Sequence, residues 1–212
     1  MNITAQRILV LAPHTDDGEL GCGATIHRLS KQGHQVYYAA FSACQLSVPS
    51  HLPQDILITE VKKATPLLGI EPERLLLLDF EVRTFNYRRQ EILESLLKLK
   101  KEIQPELVFM PSVSDLHQDH QTLANEALRA FKDTSMLCYE LPWNNMSFET
   151  TCFVKVDEHD VKAKAKALLQ YQSQKHRPYA NEEFVFSLAR TRGVQINSQY
   201  AEVFEVKRWI LE

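Results

Sequence analysis

The chain has 212 residues, 44% hydrophobic and 24% charged, with a formal net charge of −3 and a pI near 6.3. That is the composition of a folded globular protein with one well-buried core, and its slight acidity argues against nucleic acid or an anionic membrane surface as the main partner. No basic-then-apolar leader opens the sequence, no apolar stretch reaches the roughly 18–20 residues of a membrane span, and Cys22, Cys44, Cys138 and Cys152 form no paired pattern, so a cytoplasmic protein is expected.

Residues 8–12 are a continuous apolar run, as in a strand buried on both faces. Residues 23–32 carry Ile26 and Leu29 at helical spacing and stop at Gly33. Residues 36–41 read as a second strand, which completes a β-α-β unit with a right-handed crossover. A polar loop follows over 42–53, then a helix over 55–68 whose last turn Pro66 distorts. Residues 75–78 are a third strand, and the loop after it, 79–87, carries Arg83. The stretch 88–104 is an amphipathic helix with Ile92, Leu96, Leu99 and Ile103 on one face. A fourth strand at 107–110 leads through a polar loop, 111–120, into a helix over 121–131.

Beyond that the pattern weakens. Short strands at 136–140 and 153–156 flank a loop that carries Trp143; a helix covers 160–174, and a last strand lies at 203–206. With no linker or repeat, a single domain over residues 1–212 is expected. Four β-then-α units predict an α/β fold: a doubly wound, mostly parallel sheet with helices on both faces. The tail is expected to add edge strands and cover the site.

Two clusters carry chemistry. One is His14-Thr15-Asp16-Asp17, after the first strand; the other is Asp115-Leu116-His117-Gln118-Asp119-His120, after the fourth. Both belong on the carboxyl rim of the sheet, where α/β folds bind ligands. A lone histidine at a strand end is ordinarily a core or capping residue, and Asp119 alone is an ordinary helix cap. The conjunction selects a metal. Catalytic zinc sites take three His or carboxylate ligands and keep a fourth position open, and His14, Asp17 and His120 supply such a set. Asp16 is then the general base for a water whose pKa the metal lowers from 15.7 toward ~7. His117 faces the substrate as oxyanion stabiliser or proton donor, with Asp119 holding its ring. His27, His34, His51, His159 and His176 lack paired acids and read as solvated or structural. Cys22 reads as a packing thiol.

These residues resemble a known family. Pro13-His14-Thr15-Asp16-Asp17-Gly18-Glu19-Leu20-Gly21-Cys22-Gly23 is similar to the P-H-P-D-D-E-x-x-G-C-G motif of the LmbE-like (PIG-L) zinc-dependent N-deacetylases, and His117-Gln118-Asp119-His120 resembles their H-x-D-H motif. Leu68-Gly69, Tyr171-Gln172-Ser173-Gln174, Arg192-Gly193 and the stretch 200–204 resemble weaker signatures. The resemblance implies a Rossmann-like three-layer α/β/α fold holding one Zn(2+). It implies His14, Asp17 and His120 as ligands, Asp16 as base, and the His117–Asp119 pair as electrostatic partner. It also implies a small-molecule N-acetylglucosamine-type substrate and assembly into trimers or hexamers. Three departures stand out: Thr15 replaces a proline, Gly18-Glu19 displaces a glutamate by one position, and Leu57 stands where many members have arginine. Arg83 and Arg192 are the candidate replacements for that arginine, and Trp143 either stacks on a sugar or packs. The expected function is zinc-dependent removal of an N-acetyl group from such a sugar. The alternatives are an amidase or esterase of the same metal chemistry on a non-sugar substrate, and a non-catalytic Rossmann-like binding module. Two imidazoles and a carboxylate also suit Fe(II) or another divalent ion.

Overall fold

The computed structural model describes residues 3–211. Seven strands form one sheet in the order β3-β2-β1-β4-β5-β7-β6. β1 (Arg7–His14), β2 (Gln35–Ser42), β3 (Leu75–Leu77), β4 (Leu107–Pro111) and β5 (Ser135–Tyr139) are parallel. β6 (Cys152–Val156) and β7 (Tyr200–Arg208) are antiparallel to each other, and β7 is antiparallel to β5. The run 3-2-1-4-5 is the order of a doubly wound Rossmann-type sheet.

The apolar run of β1 divides by residue parity. Ile8, Val10 and Ala12 pack beneath α1 (Asp17–Lys31), α2 (Ile56–Ala64), α5 (Glu158–Leu168) and α6 (Glu182–Val194). Leu9 and Leu11 pack beneath α3 (Arg89–Ile103) and α4 (Gln118–Ala130). β2, β4 and β5 alternate in the same way, so both faces are buried and helices cover each. Each fully buried aliphatic side chain contributes about 1.5–3 kcal/mol. Among the described residues, no helix is long and apolar enough to cross a membrane.

The structure changes several expectations. α1 starts at Asp17, the last residue of the first cluster, with the glycines inside the helix rather than ahead of it. A Cβ on Gly21 would lie 2.2 Å from the Tyr139 ring, so glycine there lets the helix sit close on β5. The helix breaks at Cys22 (φ −145°), and β7 repairs the break: Glu202 accepts the N–H groups of Ala24 (3.2 Å) and Thr25 (2.7 Å) and pairs with Lys164 Nζ at 2.6 Å. The 55–68 helix ends as a 3-10 turn, Thr65–Leu68, where Pro66 removes a donor. α4 begins at Gln118, three residues early, because His117 caps it. The 160–174 helix stops at Leu168.

α6 escaped the periodicity altogether. Its buried face is only Val185, Ala189 and Gly193, one residue wide at four-residue spacing. β7, expected over 203–206, runs longer and lies inside the sheet between β5 and β6.

Candidate active site and metal centre

The strand order reverses beside β1, between β2 and β4, and the two sequence clusters hang over that switch point. His14 is the last residue of β1, Asp16 occupies the cap position of α1, and Asp17 is its first residue. His117 caps α4, and Asp119 and His120 lie in its first turn. The crevice at the carboxyl ends of β1 and β4 therefore receives both halves, although His14 and His120 are 106 residues apart.

Three donor atoms converge there. Asp17 Oδ2 lies 3.1 Å from His14 Nδ1 and 3.2 Å from His120 Nε2, and those two nitrogens are 3.2 Å apart. Asp17 Oδ2 also accepts the His14 backbone N–H at 2.8 Å. The outer nitrogen of each ring meets a further carboxylate: His14 Nε2 donates to Asp119 Oδ2 at 3.1 Å, and His120 Nδ1 donates to Asp115 Oδ2 at 2.8 Å. With those protons placed outward, the neutral rings aim their lone pairs inward at one point beside a carboxylate. Four-coordinate zinc with bonds of about 2.0–2.1 Å has ligand atoms about 3.3 Å apart, so the three donors fit one face of that tetrahedron. Outer carboxylates on ligating histidines are the usual orienting device.

The electrostatics agree. Burial alone would raise the Asp17 carboxyl, yet His120 and His14 hold it well below the carboxylate range. Burial would lower both imidazoles, but Asp17 outweighs it at each, aided by Asp119 at His14 and by Asp115 at His120, which is pushed up to about 10. The centre attracts positive charge, whether as protons or as a cation.

Asp16 is unlike its neighbour. Its carboxylate makes no cap hydrogen bond to α1. Burial and the adjacent Asp17 push it up to about 6. His117 accepts the Asp119 backbone N–H at Nδ1, 3.2 Å, so its own proton sits on Nε2. Burial, then His14 and His120, lower its pKa. With Nδ1 occupied by the backbone, His117 suits the donor set less well than Asp17, although its ring is within 5 Å of both other imidazoles.

Asp119 corrects the sequence reading. Its carboxylate holds His14 rather than His117, and it also accepts the backbone N–H of Arg83 (2.6 Å) and of Phe85 (3.3 Å). Arg83 adopts φ 69° to present that N–H, a conformation disfavoured for a side chain with Cβ. Asp119 thus ties the β3 loop to His14. Asp115 does the equivalent for His120, and its other oxygen accepts the His117 N–H at 2.8 Å. The sequence placed Asp115 in the cluster without a role, since nothing local tells a carboxylate behind a ligand from a ligand.

Around this floor lies a cleft of about 330 Å³. Leu57, Arg83 and Trp143 line it, as do Gln174, from the weaker signature 171–174, and Arg177 and Tyr179, which the sequence did not single out. Trp143 is stacked on Tyr179, ring centroids 3.7 Å apart and planes at 4°, so one of its faces is already covered. Arg192 does not line this cleft. Its guanidinium grips the buried carboxylate of Glu140 through Nε (3.0 Å) and Nη2, a contact within the scaffold. Glu19 is fully buried between the hydroxyls of Tyr38 and Tyr171; burial pushes its carboxyl up to about 8 against those two donors. Cys22 is buried in packing, as expected.

Two other places are set aside. A cleft of about 350 Å³ at the opposite rim, between Pro105, Ser135 and Trp209, is lined by no histidine or cysteine among the described residues. His27, His159 and Asp160 bring donor atoms within 4.8 Å, so His27 does have a paired acid, contrary to the sequence reading. That group is committed to structure. Asp160 takes His27 Nδ1 at 2.7 Å, completes the capping box of α5 and has Lys31 Nζ at 3.9 Å, so a cation would meet an ammonium and a positive helix end.

Known proteins share this arrangement of elements. The chain is 27% identical to the "uncharacterized deacetylase" YaiS of Escherichia coli K12, covering 78% of this chain and 90% of that one. The N,N'-diacetylchitobiose deacetylase of Pyrococcus horikoshii superposes with a TM-score of 0.78 at 22% identity, over 96% of this chain and 84% of that. GalB, a 4-carboxy-2-hydroxymuconate hydratase of Pseudomonas putida KT2440, superposes at 0.75 with 18% identity, over 98% of both chains. At those identities the two structures establish the fold alone. Residues 9–131, which span β1 through α4 and both halves of the donor cluster, match the family described as PIG-L: GlcNAc-PI de-N-acetylase, and the chain belongs to that deacetylase family.

Proposed function

We propose that the protein is a zinc-dependent hydrolase that removes an N-acetyl group from an N-acetylglucosamine-type sugar or sugar conjugate, freeing acetate and an amine. The observation that carries this is the inward convergence of His14 Nδ1, Asp17 Oδ2 and His120 Nε2, each backed by its own support, beside the Asp16 carboxylate. His14, Asp17 and His120 would hold the metal; Asp119 and Asp115 would orient the two imidazoles. Zinc in such a site supplies a Lewis acid for the acetamide carbonyl and lowers the pKa of a water toward ~7.

The chain's own residues do the rest. Asp16 takes a proton from the attacking water, and its raised pKa, about 6, suits a base working near neutrality. The neutral His117, with its proton on Nε2, donates to the oxygen that gains charge as the carbonyl becomes tetrahedral. The proton taken up by Asp16 passes to the nitrogen as the C–N bond breaks, which releases the amine and leaves acetate. The substrate is a small molecule, since the cleft of about 330 Å³ suits one sugar and part of its aglycone. Four free cysteines support a reducing, cytoplasmic setting.

The occurrence of a hydratase on this fold makes product identity the decisive measurement. The protein is stripped of metal, restored with Zn(2+) or Fe(2+), and incubated with N-acetylglucosamine, its nucleotide conjugates and its malate conjugate. Acetate and free amine should appear in equal amounts with at least one of these, only after restoration. Release without metal, or no release from any acetylated sugar, overturns the reading.

A further inference from the structure

The stretch Tyr171-Gln172-Ser173-Gln174 follows α5 and has no part in the metal set, yet both ends of it are locked into the site. Tyr171 is buried, and its hydroxyl lies 2.8 Å from the Thr15 carbonyl oxygen and 2.7 Å from Glu19 Oε1. Tyr38, from β2, reaches the same two acceptors from the other side: its hydroxyl is 3.0 Å from the Thr15 oxygen, contacts Glu19 Oε2, and accepts the Gly18 N–H at 3.0 Å. The Thr15 carbonyl belongs to the peptide unit that joins Thr15 to Asp16. The two tyrosine hydroxyls, shared between that oxygen and Glu19, enclose the peptide that leads into Asp16.

Two residues on, Ser173 is bound to a different element. Its N–H donates to Glu60 Oε1 at 3.0 Å and its hydroxyl to Glu60 Oε2 at 2.6 Å, and Glu60 is buried on α2, one turn beyond Leu57. From Ser173 a chain of contacts runs along the cleft wall. Gln174 Nε2 donates to Ser173 Oγ (3.1 Å), Arg177 Nε to Gln174 Oε1 (2.7 Å) and Arg177 Nη1 to the Tyr179 hydroxyl (2.9 Å), and Tyr179 stacks on Trp143.

We propose that Tyr171 and Ser173 are positioning residues with separate duties: Tyr171 sets the floor through the Thr15 carbonyl, and Ser173 sets the wall through Glu60 and the Gln174–Arg177–Tyr179 relay. The kinetic half of the test rests on the deacetylase reading; the spectroscopic half does not.

The experiment compares Tyr171→Phe with Ser173→Ala in the full chain, with Tyr38→Phe as a second floor variant. Support behind metal ligands is typically worth 10–100-fold, so Tyr171→Phe should weaken Co(2+) binding on the order of 10-fold, alter its visible bands, and lower kcat by a similar factor with KM nearly unchanged. Tyr38→Phe should move the same readouts in the same direction. Ser173→Ala should leave Co(2+) binding within about twofold, raise KM on the order of 10-fold, and red-shift Trp143 emission, read in a Trp209→Phe background. A merely structural role would lower the Tm of both variants without separating kcat from KM or the cobalt bands from the emission. The proposal is overturned if Tyr171→Phe binds Co(2+) with wild-type affinity and spectrum, or if the two variants show the same profile. If the wild-type protein releases no acetate, the deacetylase reading fails, while the cobalt bands and Trp143 emission still decide the division of labour.

Discussion

The floor of the cleft and its wall are built on different principles. Floor residues stand at the end of β1, in the first turns of α1 and α4 and in the short loop that leads into α4, and several of them are held by two or more partners: Asp17 by His14 and His120, Asp119 by His14, Arg83 and Phe85, Asp115 by His120 and the His117 N–H. The wall is irregular chain, residues 141–151 and 172–181, joined by side-chain hydrogen bonds that run through Gln174 and Arg177 and by one aromatic stack. Chemistry needs preorganised groups, and regular elements supply them. Selection among substrates is carried by loops that vary on a constant scaffold. Damage to the floor should therefore remove turnover, and damage to the wall should shift substrate preference.

The largest expected effect is on the floor itself. His120→Ala takes away one of three donors and leaves Asp115 facing a void. Metal content, measured by atomic absorption after desalting, should fall to near zero, and acetate release with it. Asp16→Asn separates metal binding from proton transfer, because Asp16 makes none of the converging contacts. Bound zinc should stay at the wild-type level while kcat falls by about 10²–10⁴. Full activity in that variant would sink the role given to Asp16.

Asp119→Ala comes next and tests the correction to its role. If Asp119 acted only on His117, zinc affinity would be unchanged. Because it holds His14 and the 83–85 backbone instead, zinc affinity in a chelator competition should fall about 10–100-fold.

That correction shows where sequence reasoning reaches and where it stops. The parallel sheet was legible because β1, β2, β4 and β5 are apolar on both faces, and the meeting of the two clusters because both follow strands that the topology brings side by side. The partner of Asp119 was not legible. Asp119 lies two residues from His117 but 105 from His14, and local spacing favours the wrong ring. The wall was illegible for a related reason. Arg177 and Tyr179 follow the Glu60–Ser173 lock, a contact between residues 113 apart, and no periodicity marks a 3-10 turn. α6 hid behind a one-residue-wide buried stripe.

A smaller effect is expected at the wall. Trp143→Ala removes the surface on which Tyr179 rests, at the cost of one stacked pair worth about 0.5–1.5 kcal/mol. KM for an acetylated sugar should rise a few-fold, with kcat and bound zinc unchanged; a fall in kcat as large as that of Asp16→Asn would erase the distinction between floor and wall.

The smallest effect on turnover is expected at Arg192, which the sequence offered as a substrate contact and the structure places in the scaffold. Its guanidinium meets both oxygens of Glu140, and Glu140 is only 6% exposed. Arg192→Ala would strand that carboxylate. Breaking a fully buried pair costs about 3–5 kcal/mol, but Arg192 keeps 20% of its side chain in solvent, so about 2 kcal/mol is the expected loss, read as a lower urea midpoint. At a temperature where the variant stays folded, kcat and KM should match the wild-type values. A selective rise in KM would instead return Arg192 to the cleft.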